Sequence, residues 1–329
     1  MSQAVPPVPP FPGYLPLTTG QTLDRIFRLF RDHFLVFLRI ACVPAAFLFV
    51  MYGIVGAALF AFGALPKPSH PPDPFRLFAV LVPTGLVAGL AFALAYAIFE
   101  AAETYAGLQA NLGIKVSFRE AYGVAFQHAG RFLWVMVLRY LWIGGPILVC
   151  YLLIAGLILG FMSRGANPSP SMIFLIFPLL FLAYLGAMVY AVIMGLRLAL
   201  ALPACVAEGV TGASALRRSL VLTTNAKGRI FVVMLVVYAA GYVAFMALEA
   251  VCFAVVGGGA LLGSAMHVQL SNPVAVIGAG LVVLCLFAAM FLWMAALAAS
   301  YAIGFAVLYQ DQRFRIEGVP PVATAGEPT

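Results

Sequence analysis

The chain has 329 residues, of which 64% are hydrophobic and only 9% are charged, and its mean hydropathy is +1.07. About 25% of residues are charged in an ordinary soluble domain, because polar side chains must cover its surface. The composition therefore excludes a cytosolic enzyme, a nucleic-acid-binding module and a disordered scaffold, and it predicts an integral membrane protein. The formal net charge of +7 indicates basic residues on the cytoplasmic side of a membrane rather than a nucleic-acid partner.

The first 20 residues contain six prolines and neither Lys nor Arg. They have neither the basic segment nor the apolar core of a cleavable signal peptide. Proline-rich stretches of this kind are extended or disordered. Residues 1–20 are therefore predicted to form a disordered N-terminal tail, and a ligand for a proline-reading domain is the alternative interpretation.

Six apolar stretches are long enough to cross about 30 Å of hydrocarbon. In chain order they are Phe34–Ala64, Leu77–Phe99, Phe132–Phe161, Met172–Leu202, Ile230–Val256 and Val274–Tyr309. Backbone polar groups inside a bilayer must be hydrogen-bonded within the protein, and the stretches are continuously apolar rather than alternating, so they predict helices and exclude a β-barrel. The predicted fold class is all-α, a polytopic bundle of six transmembrane helices over residues 21–310, followed by a cytoplasmic C-terminal tail at 311–329.

The distribution of basic residues predicts the orientation of this bundle. All but three of the 18 lysines and arginines fall before the first helix, after the last one, or near the connections from helix two to three and from four to five. The exceptions are Lys67, Arg76 and Arg164. Because cytoplasmic loops carry the excess of Lys and Arg, both termini are predicted to lie in the cytoplasm of a bacterial cell, with the chain in the inner membrane. The outer connections, around Pro66–Pro74, Ser163–Ser171 and Gly257–Pro273, are short.

Three segments on the predicted cytoplasmic side have the pattern of amphipathic helices. Thr22–Phe34 places apolar residues against Asp and Arg, Ser117–Glu120 has the spacing of a capping box that opens a short helix, and Gly212–Thr224 places leucines on one face. We expect each to lie in the inner headgroup layer. A solvated connector is the alternative interpretation.

An internal repeat relates parts of the chain. Gly130–Tyr140 aligns without gaps on Gly228–Tyr238, with Gly, Arg, Val, Met and Tyr in common, and Thr22–Leu38 is a weaker copy. The predicted repeat unit is one interfacial helix followed by two membrane helices, used three times. An even number of crossings per unit keeps the units parallel, unlike the inverted repeats of many secondary transporters.

Three segments carry a family resemblance. Arg197–Gly209 resembles an R-x-x-L-A-x-P-A-x-x-x-E pattern, Ala215–Ser219 resembles the A-L-x-R-S run that follows it, and Tyr309–Gly318 resembles a Y-x-D-x-R-x-R-x-E-G ending. Together they resemble bacterial six-helix membrane proteins related to the membrane domain of glycerophosphoryl diester phosphodiesterase, over about Thr19–Gly318. Gln310 and Gln312 stand where Tyr and Leu are more usual. The hydrolase activity belongs to a fused catalytic barrel, which needs about 200 residues or more, so we do not expect it here.

Charged residues inside the predicted membrane helices are candidates for function. Glu249 lies deep in helix five, where it can relay a proton or hydrogen-bond to a neighbouring helix. Five residues share a similar depth near the cytoplasmic boundary, and they can either form ion pairs or bind an anionic headgroup; they are Arg39, Glu100, Glu103, Arg139 and Arg197. Glu208, Arg217 and Arg218 form a third candidate group, which can either tether an interfacial helix or bind phosphate.

No motif for catalysis, cofactor binding or metal binding is visible, and the five cysteines have the pattern of small apolar residues. The sequence therefore predicts a non-enzymatic protein without a cofactor or metal that organises or senses the bilayer, with membrane lipids, anionic lipid among them, as its partners. The alternative is a transporter of a small solute or lipid that uses Glu249 and the arginine–glutamate layer. No nucleic-acid partner is expected, and a homo-oligomer or a membrane-protein partner stays open.

Overall fold

A computed structural model of the chain describes residues 16–61, 74–163, 170–265 and 273–318. The proline-rich stretch up to residue 15, most of the first two predicted outer connections, residues 266–272 of the third and the residues from 319 onward lie outside the described residues.

Ten α-helices and no strands make up the secondary structure of the described residues. They are α1 (Thr19–Asp32), α2 (Phe34–Ala61), α3 (Pro74–Asn111), α4 (Phe118–Gln127), α5 (Ala129–Ser163), α6 (Pro170–Arg197), α7 (Ala201–Glu208), α8 (Gly212–Leu222), α9 (Lys227–Ala265) and α10 (Pro273–Glu317). Six of them, α2, α3, α5, α6, α9 and α10, are long and apolar enough to cross a membrane. The prediction of an all-α bundle with six crossings is confirmed, and the chain is a multi-pass integral membrane protein.

The order of one short helix and two long helices occurs three times along the chain, as α1–α2–α3, α4–α5–α6 and α8–α9–α10, with α7 inserted before the third unit. The two long helices of each unit contact each other, and α3 and α10 contact each other between the units. Two crossings per unit return the chain to the same end of the bundle. We call this end, formed by α1, α4, α7, α8 and the last turns of α3 and α10, the basic end.

Most buried side chains lie at the basic end. The main core joins residues of α1, α3, α4, α7, α8 and the adjacent turns of α2, α5, α9 and α10. Towards the opposite end the long helices expose large apolar side chains, such as Leu90 on α3, Phe174 on α6 and Phe253 on α9. Apolar side chains on a membrane helix are stable against lipid, so the long helices need little contact with one another there.

Small residues allow α3 and α10 to approach closely in the core. A Cβ atom added to Gly107 would lie 3.2 Å from the Ala306 Cβ and 3.3 Å from the Ile303 Cα. Alanines on both helices are also fully buried, namely Ala102 and Ala106 on α3 and Ala299 on α10. Small side chains at this spacing let two helix backbones pack directly against each other.

The predicted fourth membrane helix is divided in the structure. α6 ends at Arg197, three turn residues follow, and α7 begins at Ala201. Pro203 explains the break, because its ring has no N–H and would clash with the carbonyl of residue 199 in a continuous helix. Within the first turn of a new helix a proline costs little. α7 is buried along most of its length against α3, α5 and α8, which the sequence-based interpretation did not include.

Two helices continue beyond their predicted limits. α3 runs twelve residues past Phe99, to Asn111, and α10 runs past Tyr309 to Glu317. The first seven residues of the predicted C-terminal tail are therefore helical, and Asp311 and Gln312 are buried. A prediction from hydropathy alone places the ends of these helices too early, because the additional turns are polar and are covered by protein.

Candidate functional site

An ion-pair cluster joins α7, α8 and α10 at the basic end, and we call it the Glu208 cluster. The Glu208 carboxylate accepts hydrogen bonds from Arg218 Nε and Nη2, both at 2.8 Å, and from the Tyr309 hydroxyl at 2.6 Å. Arg218 also pairs with Glu317. Glu317 in turn accepts from Arg313 Nε at 3.1 Å. The formal charges of the two carboxylates and two guanidinium groups cancel.

The contacts of the Glu208 cluster favour the tethering role over phosphate binding. A guanidinium that donates two parallel hydrogen bonds to a carboxylate is held in a fixed orientation. Hydrogen bonding to Glu208 also raises the pKa of Arg218 above its ordinary value, so this side chain stays charged. Arg217 is not part of the cluster, although it stands next to Arg218 in the sequence.

A second clamp holds the start of α1 against α9 and α10. Asp311 is only 1% exposed, and its carboxylate accepts from the Leu17 backbone N–H at 2.8 Å and from Arg315 Nε at 2.7 Å. It also pairs with Arg229. Arg229 Nη2 donates to the Leu17 carbonyl at 3.0 Å and to the Thr22 hydroxyl at 2.8 Å. One buried carboxylate therefore fixes three parts of the chain.

A cavity of about 160 Å³ lies between α3, α5 and α10, and we call it the Glu103 cavity. Glu100, Glu103 and Arg139 line it together with aromatic rings. Arg139 Nη1 donates to Glu100 Oε1 at 3.0 Å. Glu103 is 1% exposed. Among the described residues, Glu103 Oε1, Glu100 Oε2 and Arg139 Nε have no hydrogen-bond partner.

The other two predicted members of the arginine–glutamate layer lie elsewhere. Arg39 lines an open groove of about 790 Å³ beside α2 and the start of α4, together with Arg119, and we call it the Arg39 groove. Arg197 lines a groove of about 300 Å³ between α5, α6 and α8, together with Arg217, and we call it the Arg197 groove. The five residues thus occupy three separate places. Similar depth along the helices does not fix the direction of a side chain around each helix axis.

Glu249 lies half-buried in α9. It is outside the Glu103 cavity and both grooves, and no ion pair joins it to another described residue. The alternative hypothesis of a transporter combined Glu249 with the arginines in one pathway. The cavity and the two grooves do not bring Glu249 together with these arginines. A transport pathway that uses both stays a prediction.

Several residues of these networks were missed by sequence reasoning. Tyr122 on α4 donates from its hydroxyl to the Ile40 carbonyl at 2.8 Å, and burial raises its pKa. Asn111 hydrogen-bonds to Arg25 and to Gln310. The helical spacing of Tyr122 predicted a short helix, but no signal in the sequence indicated these hydrogen bonds.

Within the described residues, no group of three or more His, Cys, Asp and Glu side chains is arranged to hold a metal ion. The five cysteines are free thiols. No protein-family model, curated protein or solved structure matches this chain.

Proposed function

We propose that this chain is a non-enzymatic membrane protein that binds anionic lipid headgroups in the two grooves at its basic end. The observation that carries the proposal is the pairing of two arginines without a carboxylate in each groove. These are Arg39 with Arg119, and Arg197 with Arg217.

Arginines elsewhere in the described part of the chain are mostly neutralised. Seven of them pair with a carboxylate: Arg28, Arg31, Arg139, Arg218, Arg229, Arg313 and Arg315. The four groove arginines form no ion pair with a described residue. A guanidinium presents several N–H donors that match phosphate geometry, so a pair of them is suited to a phosphodiester.

The apolar walls of the Arg197 groove suit the acyl chains of a lipid molecule. Leu138, Trp142 and Leu216 line it beside the two arginines. Trp142 is 54% exposed, and exposed tryptophans are enriched at the level of lipid headgroups. Apolar walls next to cationic groups allow acyl chains and phosphate to be held at the same time.

The proposed orientation places the basic end in the cytoplasm of a bacterial cell, at the inner membrane. The charge distribution supports it, because the cytoplasmic leaflet is rich in anionic lipid. Protease accessibility of a C-terminal tag in spheroplasts tests this orientation, and cleavage from outside would contradict it.

The relation to the membrane domain of glycerophosphoryl diester phosphodiesterase is likewise a proposal. Its support is that residues from the resembling segments contact one another in the structure: Glu208 and Arg218 meet Tyr309, Arg313 and Glu317. A shared motif of this kind would preserve the clamp at the basic end rather than a catalytic centre.

Native mass spectrometry of protein from mixed phosphatidylglycerol and phosphatidylcholine micelles tests lipid binding. We expect the double variant Arg197→Gln/Arg217→Gln to retain about tenfold less phosphatidylglycerol, since two charge-assisted contacts are lost. The matched control is Arg28→Gln/Arg31→Gln, which removes the same charge from exposed positions of α1. Equal losses in both variants would indicate attraction to the surface as a whole and would contradict the groove.

A further inference from the structure

The Glu103 cavity contains buried polar groups that the protein itself does not satisfy. Glu103 is almost fully buried, and its Oε1 atom has no partner among the described residues. The same holds for Glu100 Oε2. A buried acceptor without a donor is costly, and such atoms in a native structure call for an explanation.

The charges in this cavity do not balance. Arg139 pairs with Glu100 at 3.0 Å, and its guanidinium lies 6.0 Å from the centre of the Phe305 ring. It therefore already has both a carboxylate and an aromatic partner. Glu103 forms no ion pair with a described residue. If both carboxyl groups are ionised, they outnumber the single guanidinium, and a bound cation would offset the excess negative charge. A cation with hydrogen-bond donors would satisfy the free carboxylate oxygens.

The remaining walls are aromatic and apolar. Tyr96, Phe99, Tyr140, Tyr301 and Phe305 line the cavity. Aromatic faces attract cations and also cover short alkyl groups. The volume of about 160 Å³ is similar to that of an engineered cavity of about 150 Å³ in another protein that holds benzene. The space thus suits a ligand of a few non-hydrogen atoms.

From these observations we propose that the Glu103 cavity binds a small primary alkylammonium ion. Its N–H groups donate to Glu103 and Glu100, and its alkyl chain lies against the aromatic rings. The Glu100 and Arg139 side chains are 17% and 12% exposed, so the cavity is not completely enclosed by protein. This site is separate from the two lipid grooves and does not depend on them.

Isothermal titration calorimetry on the full chain in phosphatidylcholine nanodiscs at pH 7 tests the proposal, with propylammonium chloride as the probe. The neutral counterpart is 1-propanol, which has the same number of non-hydrogen atoms and no charge. We expect saturable binding of propylammonium and at least about tenfold weaker binding of propanol, because a buried carboxylate selects for the cation. Sodium chloride at equal concentration should not compete.

Glu103→Gln keeps the shape of the side chain and removes its charge, and we expect it to weaken propylammonium binding at least about tenfold. The matched control is Glu249→Gln, which removes a carboxylate from α9 outside the cavity and should bind as the wild type does. Equal affinity for propylammonium and propanol, no saturable binding, or unchanged binding in Glu103→Gln would each overturn the proposal. Because the propanol comparison uses the wild-type protein alone, it decides the question even if Glu103→Gln does not fold.

Discussion

Substitution of Asp311 by Asn should destabilise the basic end strongly. The side chain keeps its size, and one oxygen can still accept the Leu17 N–H. The amide nitrogen, however, would face the guanidinium groups of Arg229 and Arg315, both of which now donate to the carboxylate. The N–H donors of both guanidinium groups would then face the N–H donors of the amide, at a residue that is only 1% exposed.

The expected size of the effect follows from burial. Removal of one partner from a buried ion pair costs about 3–5 kcal/mol, because the other charge stays buried without compensation. The Arg229 side chain is only 16% exposed, so solvent cannot replace the lost carboxylate. Asp24→Asn is the matched control, since Asp24 and Arg28 are 69% and 60% exposed. An exposed pair of this kind is worth about 0.5 kcal/mol or less.

The free energy of unfolding in mixed dodecyl sulfate micelles measures both variants, and amide hydrogen exchange of α1 reports the local effect. We expect Asp311→Asn to lose about 3 kcal/mol or more and to exchange faster at the start of α1. If the two variants lost the same free energy, or if exchange near Leu17 were unchanged, the argument for a buried clamp would be wrong.

Two further predictions concern packing and exposure. Gly107→Leu should destabilise the bundle by about 1–3 kcal/mol through overpacking between α3 and α10. Gly85→Leu on the same helix should be neutral or slightly stabilising, because an added Cβ there meets no described atom within 4 Å. Equal effects of the two variants in the same unfolding assay would contradict the close contact between α3 and α10. Cys42 is exposed and lines the Arg39 groove, whereas Cys205 is buried. In single-cysteine variants, Cys42 should therefore react with N-ethylmaleimide at least about tenfold faster than Cys205. Similar reaction rates would refute the assigned burial of the two thiols.

The six crossings could be predicted from the sequence because long apolar runs have few alternatives in a membrane protein. The short helices could also be predicted, because the helical spacing of apolar residues such as Leu23, Ile26 and Phe30 is visible in the sequence without knowledge of tertiary contacts. Helix α7 could not, because Leu198–Leu202 is as apolar as the crossing before it. Only Pro203 marks the break, and prolines elsewhere, such as Pro44 and Pro83, lie within continuous helices.

The candidate sites were predicted less well than the fold. The sequence grouped Arg139 with Glu100 by depth and Glu208 with Arg218 by the resembling segments, and each of these pairs is in contact in the structure. The separation of Arg39 from Arg197 could not be predicted, because it depends on how α4 and α8 pack beside the long helices. Asp311 was assigned to a tail, and its burial depends on the docking of Leu17, which is 294 positions away in sequence.

This last contact has a consequence for biosynthesis. Leu17 emerges from the ribosome long before Asp311, by about 15 to 60 s at usual rates of about 5–20 residues per second. During that interval the first amphipathic helix has neither its carboxylate nor α10 to hold it. Closure of the basic end therefore waits until translation reaches the last helix, and a nascent chain stalled before that point would leave Arg229 uncompensated.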